Sequence, residues 1–153
     1  MAETGKSLPE FIVEAKHNTY ASQSGKVPSP RLGAKDLAYE AGPFRYVDSY
    51  FGELDFSGQE VVYREGRPIW SMNYYGRMIR DDVPEGFIET LREALLEVSV
   101  ERPYRGNLQY DRGPYSYTCR SHGTVGNFWG EEGISYKGEK VYHLHFHGGQ
   151  IRQ

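Results

Sequence analysis

From Asp48 to Gly76 the chain reads DSYFGELDFSGQEVVYREGRPIWSMNYYG, three successive strands apolar enough to fold. The same stretch sets Asp48, Gln59, Glu60 and Asn73 among Tyr46, Tyr50, Tyr63, Trp70, Tyr74 and Tyr75. Carboxylates and amides on aromatic strands are costly to bury without partners. The chain must therefore turn them outward, pair them, or gather them into a site. Strand alternation puts Phe44, Tyr46, Asp48 and Tyr50 on one face, and Trp70, Met72 and Tyr74 on one face opposite Ile69, Ser71, Asn73 and Tyr75. Register alone decides which of these faces coincide.

Around this block the pattern is helix, four strands, helix, four strands. Ser7 with Glu10 forms a capping box and Pro9 suits a first turn, which predicts a helix over 8–18. Residues 20–34 are rich in Ser, Gly and Pro and read as a long loop. Strands follow at 36–41 and 44–51, then at 59–64 and 68–75, the last pair hinged on Glu65-Gly66. Phe87, Ile88, Leu91, Ala94, Leu95 and Val98 recur at helical spacing after a cap signal at Asp82 and Glu85, predicting a helix over 84–98. Strands at 107–112, 115–120, 127–136 and 140–147 complete the chain, the last two hinged on Lys137-Gly138. The expected fold is α+β, a strongly curved antiparallel sheet of about eight short strands with two helices. No internal repeat is evident, and residues 1–153 read as one domain with 1–6 disordered.

Net charge is −3, so no global field favours nucleic acid or an anionic membrane. One cysteine, Cys119, excludes an internal disulfide and a cysteine-rich zinc site. No apolar run approaches the ~20 residues of a membrane-spanning helix, and the N-terminus lacks a secretory pattern. The expectation is a soluble cytoplasmic protein without membrane partners.

Several constellations invite chemistry. Thr4-Gly5-Lys6-Ser7 mimics the end of a phosphate-binding loop but lacks its first glycine and preceding strand. His143, His145 and His147 alternate along the last strand, and His143 with His145 could hold one divalent metal. A third ligand could come from Glu60, Glu131, Glu132 or His122, but nothing in the sequence selects one, so no metal and no cofactor is assigned. Cys119 near His122 reads more simply as a small packed residue than as a nucleophile. Asp48 and Glu60 could serve as general base and acid, or accept donors from a ligand; paired with arginines on the outer face they would be scaffold. Thirteen tyrosines against seven phenylalanines suit a pocket that stacks a ring and hydrogen-bonds its edge. Arg31 could clamp an anion or tie the long loop to Asp36 or Asp48.

The segments SPRLGAKDLAYEAG (29–42), YVDSYFGELDFSGQEVVY (46–63), PIWSMNYYGR (68–77) and YHLHFHGG (142–149) resemble a bacterial family known as a domain of unknown function, DUF5680, over about Phe11 to Ile151. Some of its members carry the domain behind a helix-turn-helix repressor module, for which this chain has no room. The resemblance implies no activity or cofactor, and a sensing role only by analogy.

The reading that follows is a domain binding a small polar or aromatic ligand through Tyr50, Glu60, Asn73, Tyr75, Arg31 and Asp48. A metal-independent hydrolase or transferase using Glu60 or Asp48 as general base is the first alternative. A metal site at His143 and His145 is the second. Because Asn73 and Trp70 face opposite ways, one cleft cannot hold both, and Glu60 with Asn73 is the pair retained.

Overall fold

The computed structural model describes residues 5–19 and 24–153. Helix α1 (Leu8–His17) starts at Ser7, whose Oγ accepts from the Glu10 amide at 3.3 Å. Strands β1 (Lys26–Val27), β2 (Lys35–Ala41), β3 (Phe44–Gly52), β4 (Asp55–Arg64) and β5 (Arg67–Met78) follow. Then come α2 (Phe87–Leu96), β6 (Gln109–Arg112), β7 (Tyr115–Thr124), β8 (Asn127–Tyr136) and β9 (Glu139–Gln150). The fold is the expected α+β arrangement with two helices. Among the described residues its open, curved sheet has nine antiparallel strands, the additional one being β1 inside the segment read as loop. Of the six residues expected to be disordered, 1–4 lie outside the described residues; the Lys6 ammonium lies beside Glu14. Residues 20–23 of the expected loop also lie outside them.

The cap expected for α2 is not the one used. Asp82 is held by Arg80, through bonds of 2.6 and 2.8 Å, and the helix begins at Gly86, whose φ of 87° only glycine adopts without strain. A bidentate partner two residues away competes for the carboxylate that would otherwise cap the helix.

The sheet runs β1-β2-β3-β4-β5-β9-β8-β7-β6. Two meanders, β2–β5 and β6–β9, therefore meet along the β5–β9 seam. Helix α1 packs on β2 and β3, and α2 on β6 and β7. Both cover one face, where Tyr46, Trp70, Met72, Tyr117, Phe128, Tyr142 and Leu144 are buried.

The two halves are the same unit built twice, which the sequence reading did not detect. Pro43, Tyr46, Phe56, Gly58 and Glu60 recur at equivalent places as Pro114, Tyr117, Phe128, Gly130 and Glu132. Both halves break register at matching points, between Val62 and Tyr63 and between Ile134 and Ser135. Both close a hairpin with two left-handed residues, Glu65-Gly66 and Lys137-Gly138. The helix anchors correspond as well: Glu14 on α1 bears on Tyr39, and Glu93 on α2 accepts from the Tyr110 hydroxyl at 2.6 Å. At the seam Tyr74 pairs with Phe146, its own equivalent, so a pseudo-two-fold axis passes between them. A Cβ on Gly58 would lie 2.3 Å from the Tyr74 hydroxyl, and one on Gly130 would lie 2.3 Å from the Phe146 ring. The bare backbone at both positions lets the two central rings lie down on the sheet.

Candidate functional site

Register answers the question that the sequence left open. Asp48 pairs with Glu60, and Glu60 with Met72, so both carboxylates share the helix-covered face with Trp70 and Tyr74. Gln59 pairs with Asn73 on the opposite face, where their amides hydrogen-bond at 2.8 Å. Glu60 and Asn73 are therefore not neighbours in one cleft, and the pair retained from the sequence is divided by the sheet. Tyr75 lies on the outer face with Asn73, about half exposed. Arg31 rests over the Phe51 ring, 4.6 Å from its centroid, on the side away from Asp48. Trp70 is wholly buried and donates its indole N–H to the Val125 carbonyl at 2.8 Å.

On the covered face five charged side chains are buried together. Lys16, from α1, reaches the Glu60 carboxylate with Nζ–O distances of 2.9 and 3.2 Å and also donates to the Tyr104 carbonyl. Arg105, from the segment after α2, holds Glu132 through two bonds of 3.0 and 2.9 Å. Tyr117 and Tyr142 also donate to Glu132, the latter at 2.8 Å, so that this carboxylate is fully engaged. The Tyr46 hydroxyl faces Glu60 in poor hydrogen-bond geometry. Each half thus repeats one device, a cation and a tyrosine on the equivalent glutamates Glu60 and Glu132.

Asp48 is the odd carboxylate. Its equivalent in the second half is Cys119, so the cluster has three acids against two cations. The Tyr74 hydroxyl donates to Asp48 Oδ1 at 2.6 Å, and Arg105 stands 5.8 Å from the Tyr74 ring centroid. Burial first, and then the adjacent Glu60, raise the Asp48 pKa from 3.8 to about 7, against the pull of Tyr74, Lys16 and Arg105. Burial also lowers the Lys16 pKa, opposed chiefly by Glu60. The Cys119 thiol is pushed up to about 11, mainly by burial and then by Glu132, and it lies on the face opposite His122. This is an inert packed thiol.

The cluster forms a floor beside a groove. Between α2 and the first half of the sheet lies a cavity of about 330 Å³ bounded by Tyr50, Phe56, Tyr74, Met78, Leu91 and Tyr142, with Lys35 and Glu53 at its mouth. A second cavity of similar volume continues along α2 past Leu37 and Arg92. Tyr50, Ile88 and Leu91 line both. Of the six ligand residues expected from the sequence, Tyr50 alone lines these cavities. Asp48 lies behind Tyr74, one hydrogen bond away, and Glu60 is enclosed by Lys16. Tyr74, Lys35, Leu91 and Tyr142 complete the walls. Periodicity identified Leu91 as inward-facing, but not that its helix leaves a gap over β3–β5.

These features define a class: an α+β protein built from two copies of an α-β4 unit, whose eight strands and the short β1 form one open sheet, with a paired ionic cluster beside an apolar groove. The chain belongs to the family described as Domain of unknown function (DUF5680), whose model matches residues 48–151. The match takes in Asp48 and every acidic member of the cluster, but not α1 and its Lys16. No curated protein matches the chain, and neither does any solved structure. Among the described residues no helix is long and apolar enough to cross a membrane.

Proposed function

We propose that the chain binds one small amphipathic molecule, an aromatic or alicyclic body with a polar or anionic end, in the groove beneath α2. The observation that carries the reading is the groove's composition. Apolar and aromatic walls, among them Tyr50, Tyr74 and Tyr142, lead to a mouth where Lys35 stands 3.5 Å from Glu53. Its volume is at the lower end of the range for small-molecule sites, about 300–1,000 Å³. Tyr74 already donates its proton to Asp48, so its oxygen remains free to accept from a ligand's hydroxyl or N–H. Lys35 would meet a carboxylate, sulfonate or phosphate.

General-base catalysis by Asp48 or Glu60 has less support. A base must come within hydrogen-bond reach of its substrate, and neither carboxylate lines the groove. In family members joined to a helix-turn-helix module, the same groove would make the domain a small-molecule sensor.

Anilinonaphthalene sulfonate, an aromatic body with one anionic end, is a suitable probe. Expected is saturable fluorescence with one site, abolished by Ile88→Trp at the groove's rim and weakened about tenfold by Lys35→Ala, with circular dichroism unchanged. Saturable binding that both variants leave intact would place the probe elsewhere and refute the assignment, as would no binding by the folded wild-type chain.

A further inference from the structure

On the outer face, away from the groove, Glu131 of β8 stands directly opposite His145 of β9, and His143 lies two residues along on the same side. One donor atom from each of the three falls within 4.8 Å of the other two. His143 Nε2 lies 3.6 Å from Glu131 Oε2, and His145 Nε2 lies 3.9 Å from the same oxygen. Both separations exceed hydrogen-bond length. They approach the edge of a tetrahedron of ligands around zinc, about 3.4 Å for metal–ligand bonds of about 2.1 Å. The two imidazoles meet edge to face, with centroids 4.2 Å apart, so they are neighbours without being stacked.

The internal repeat supplies a comparison within one molecule. At the equivalent positions of the first half stand Gln59, Asn73 and Ser71. There the two amides close on each other at 2.8 Å in an ordinary hydrogen bond. The second half has the same backbone stations, but all three carry metal-ligating side chains, held apart by about the span of an ion.

We propose that Glu131, His143 and His145 form a binding site for a borderline divalent transition-metal ion such as Zn²⁺. Two imidazoles and one carboxylate are a donor set suited to zinc, and three protein ligands leave a fourth position for water or an anionic ligand. Arg120 pairs across the ladder with Glu131, and Arg77 with His143. Their charges oppose a bound cation and favour an anion in the fourth position. Tyr75 lies across from His145 and closes the side toward β5.

The test is titration of the whole metal-free chain with Zn²⁺ by calorimetry, and with Co²⁺ by visible absorption. Expected is one saturable site in the micromolar range with the intense bands of four-coordinate Co²⁺. His143→Ala and His145→Ala should each weaken Zn²⁺ binding by about 100-fold or more, beyond the 10- to 100-fold typical of an outer-shell partner. Glu131→Gln should weaken it at least about tenfold. His122→Ala and His147→Ala should leave it unchanged. All five side chains are on the outer face, so circular dichroism should be unaltered throughout. No saturable Zn²⁺ binding would overturn the assignment. So would binding that His122→Ala or His147→Ala reduces as much as His145→Ala does, because the ion would then be held by histidine-rich surface alone.

Discussion

Replacing Asp48 with asparagine should make the protein more stable at neutral pH, although it removes a buried carboxyl that accepts a hydrogen bond from Tyr74. Below about pH 4 the Asp48 carboxyl is protonated whether the chain is folded or not. Between about 4 and about 7 the folded chain keeps a proton that the unfolded chain has lost, so stability falls as pH rises. Above 7 the carboxyl is ionised in both states and the loss is complete. Raising this group from 3.8 to about 7 corresponds to at most about 4 kcal/mol, at about 1.36 kcal/mol per pH unit. Asparagine copies the shape of the protonated acid and keeps an oxygen for the Tyr74 hydroxyl, but it has no charge to bury. Urea denaturation of Asp48→Asn and wild type should therefore give similar stabilities near pH 4. By pH 8 the curves should diverge by up to about 4 kcal/mol in favour of the variant, a rise in melting temperature on the order of 10 °C for a chain of this length. Glu60→Gln is the control: it deprives buried Lys16 of its carboxylate partner and should destabilise across the range. Parallel pH profiles for Asp48→Asn and wild type would refute the reasoning, because the extra acid would then carry no buried charge at pH 8.

Arg105→Met should destabilise by about 3–5 kcal/mol at pH 7, because it leaves Glu132 buried without its cation; a chemical-denaturation midpoint within error of wild type would count against the cluster as described. Cys119 should react with a thiol reagent such as dithionitrobenzoate only as fast as the chain unfolds, given its burial and raised pKa. Rapid stoichiometric labelling of the folded protein would contradict that.

The elements that depend on local chemistry were legible in the sequence. Ser7 caps α1 as its spacing with Glu10 suggests, and Glu65-Gly66 and Lys137-Gly138 turn where hairpin chemistry requires. Alternation correctly separated Asn73 from Trp70. It could not say which of them shares a face with Glu60, because that depends on the pairing of β4 with β5. The cations of the cluster were invisible for a related reason. Lys16 meets Glu60 and Arg105 meets Glu132 only when distant elements pack, and a lysine in an amphipathic helix otherwise reads as solvated. The duplication was hidden because equivalent core positions conserve shape more than identity, as in Trp70 and Tyr142 or Met72 and Leu144. Identity persists mainly where a turn, a close approach or a buried charge demands it, and such positions are too sparse to catch the eye.

The seam at which Tyr74 faces Phe146 has a further consequence. An antiparallel pairing in which a residue meets its own counterpart is the contact that two separate copies of a half-length chain make when they join edge to edge. Such a homodimer is bound by its symmetry: every substitution appears twice, and an acid suited to one side is imposed on the other. Joining the copies end to end removes that constraint. One side can then hold aspartate where the other holds cysteine, and one amide pair can become a carboxylate and an imidazole, while a shared framework of turns, glycines and paired glutamates keeps both halves folded.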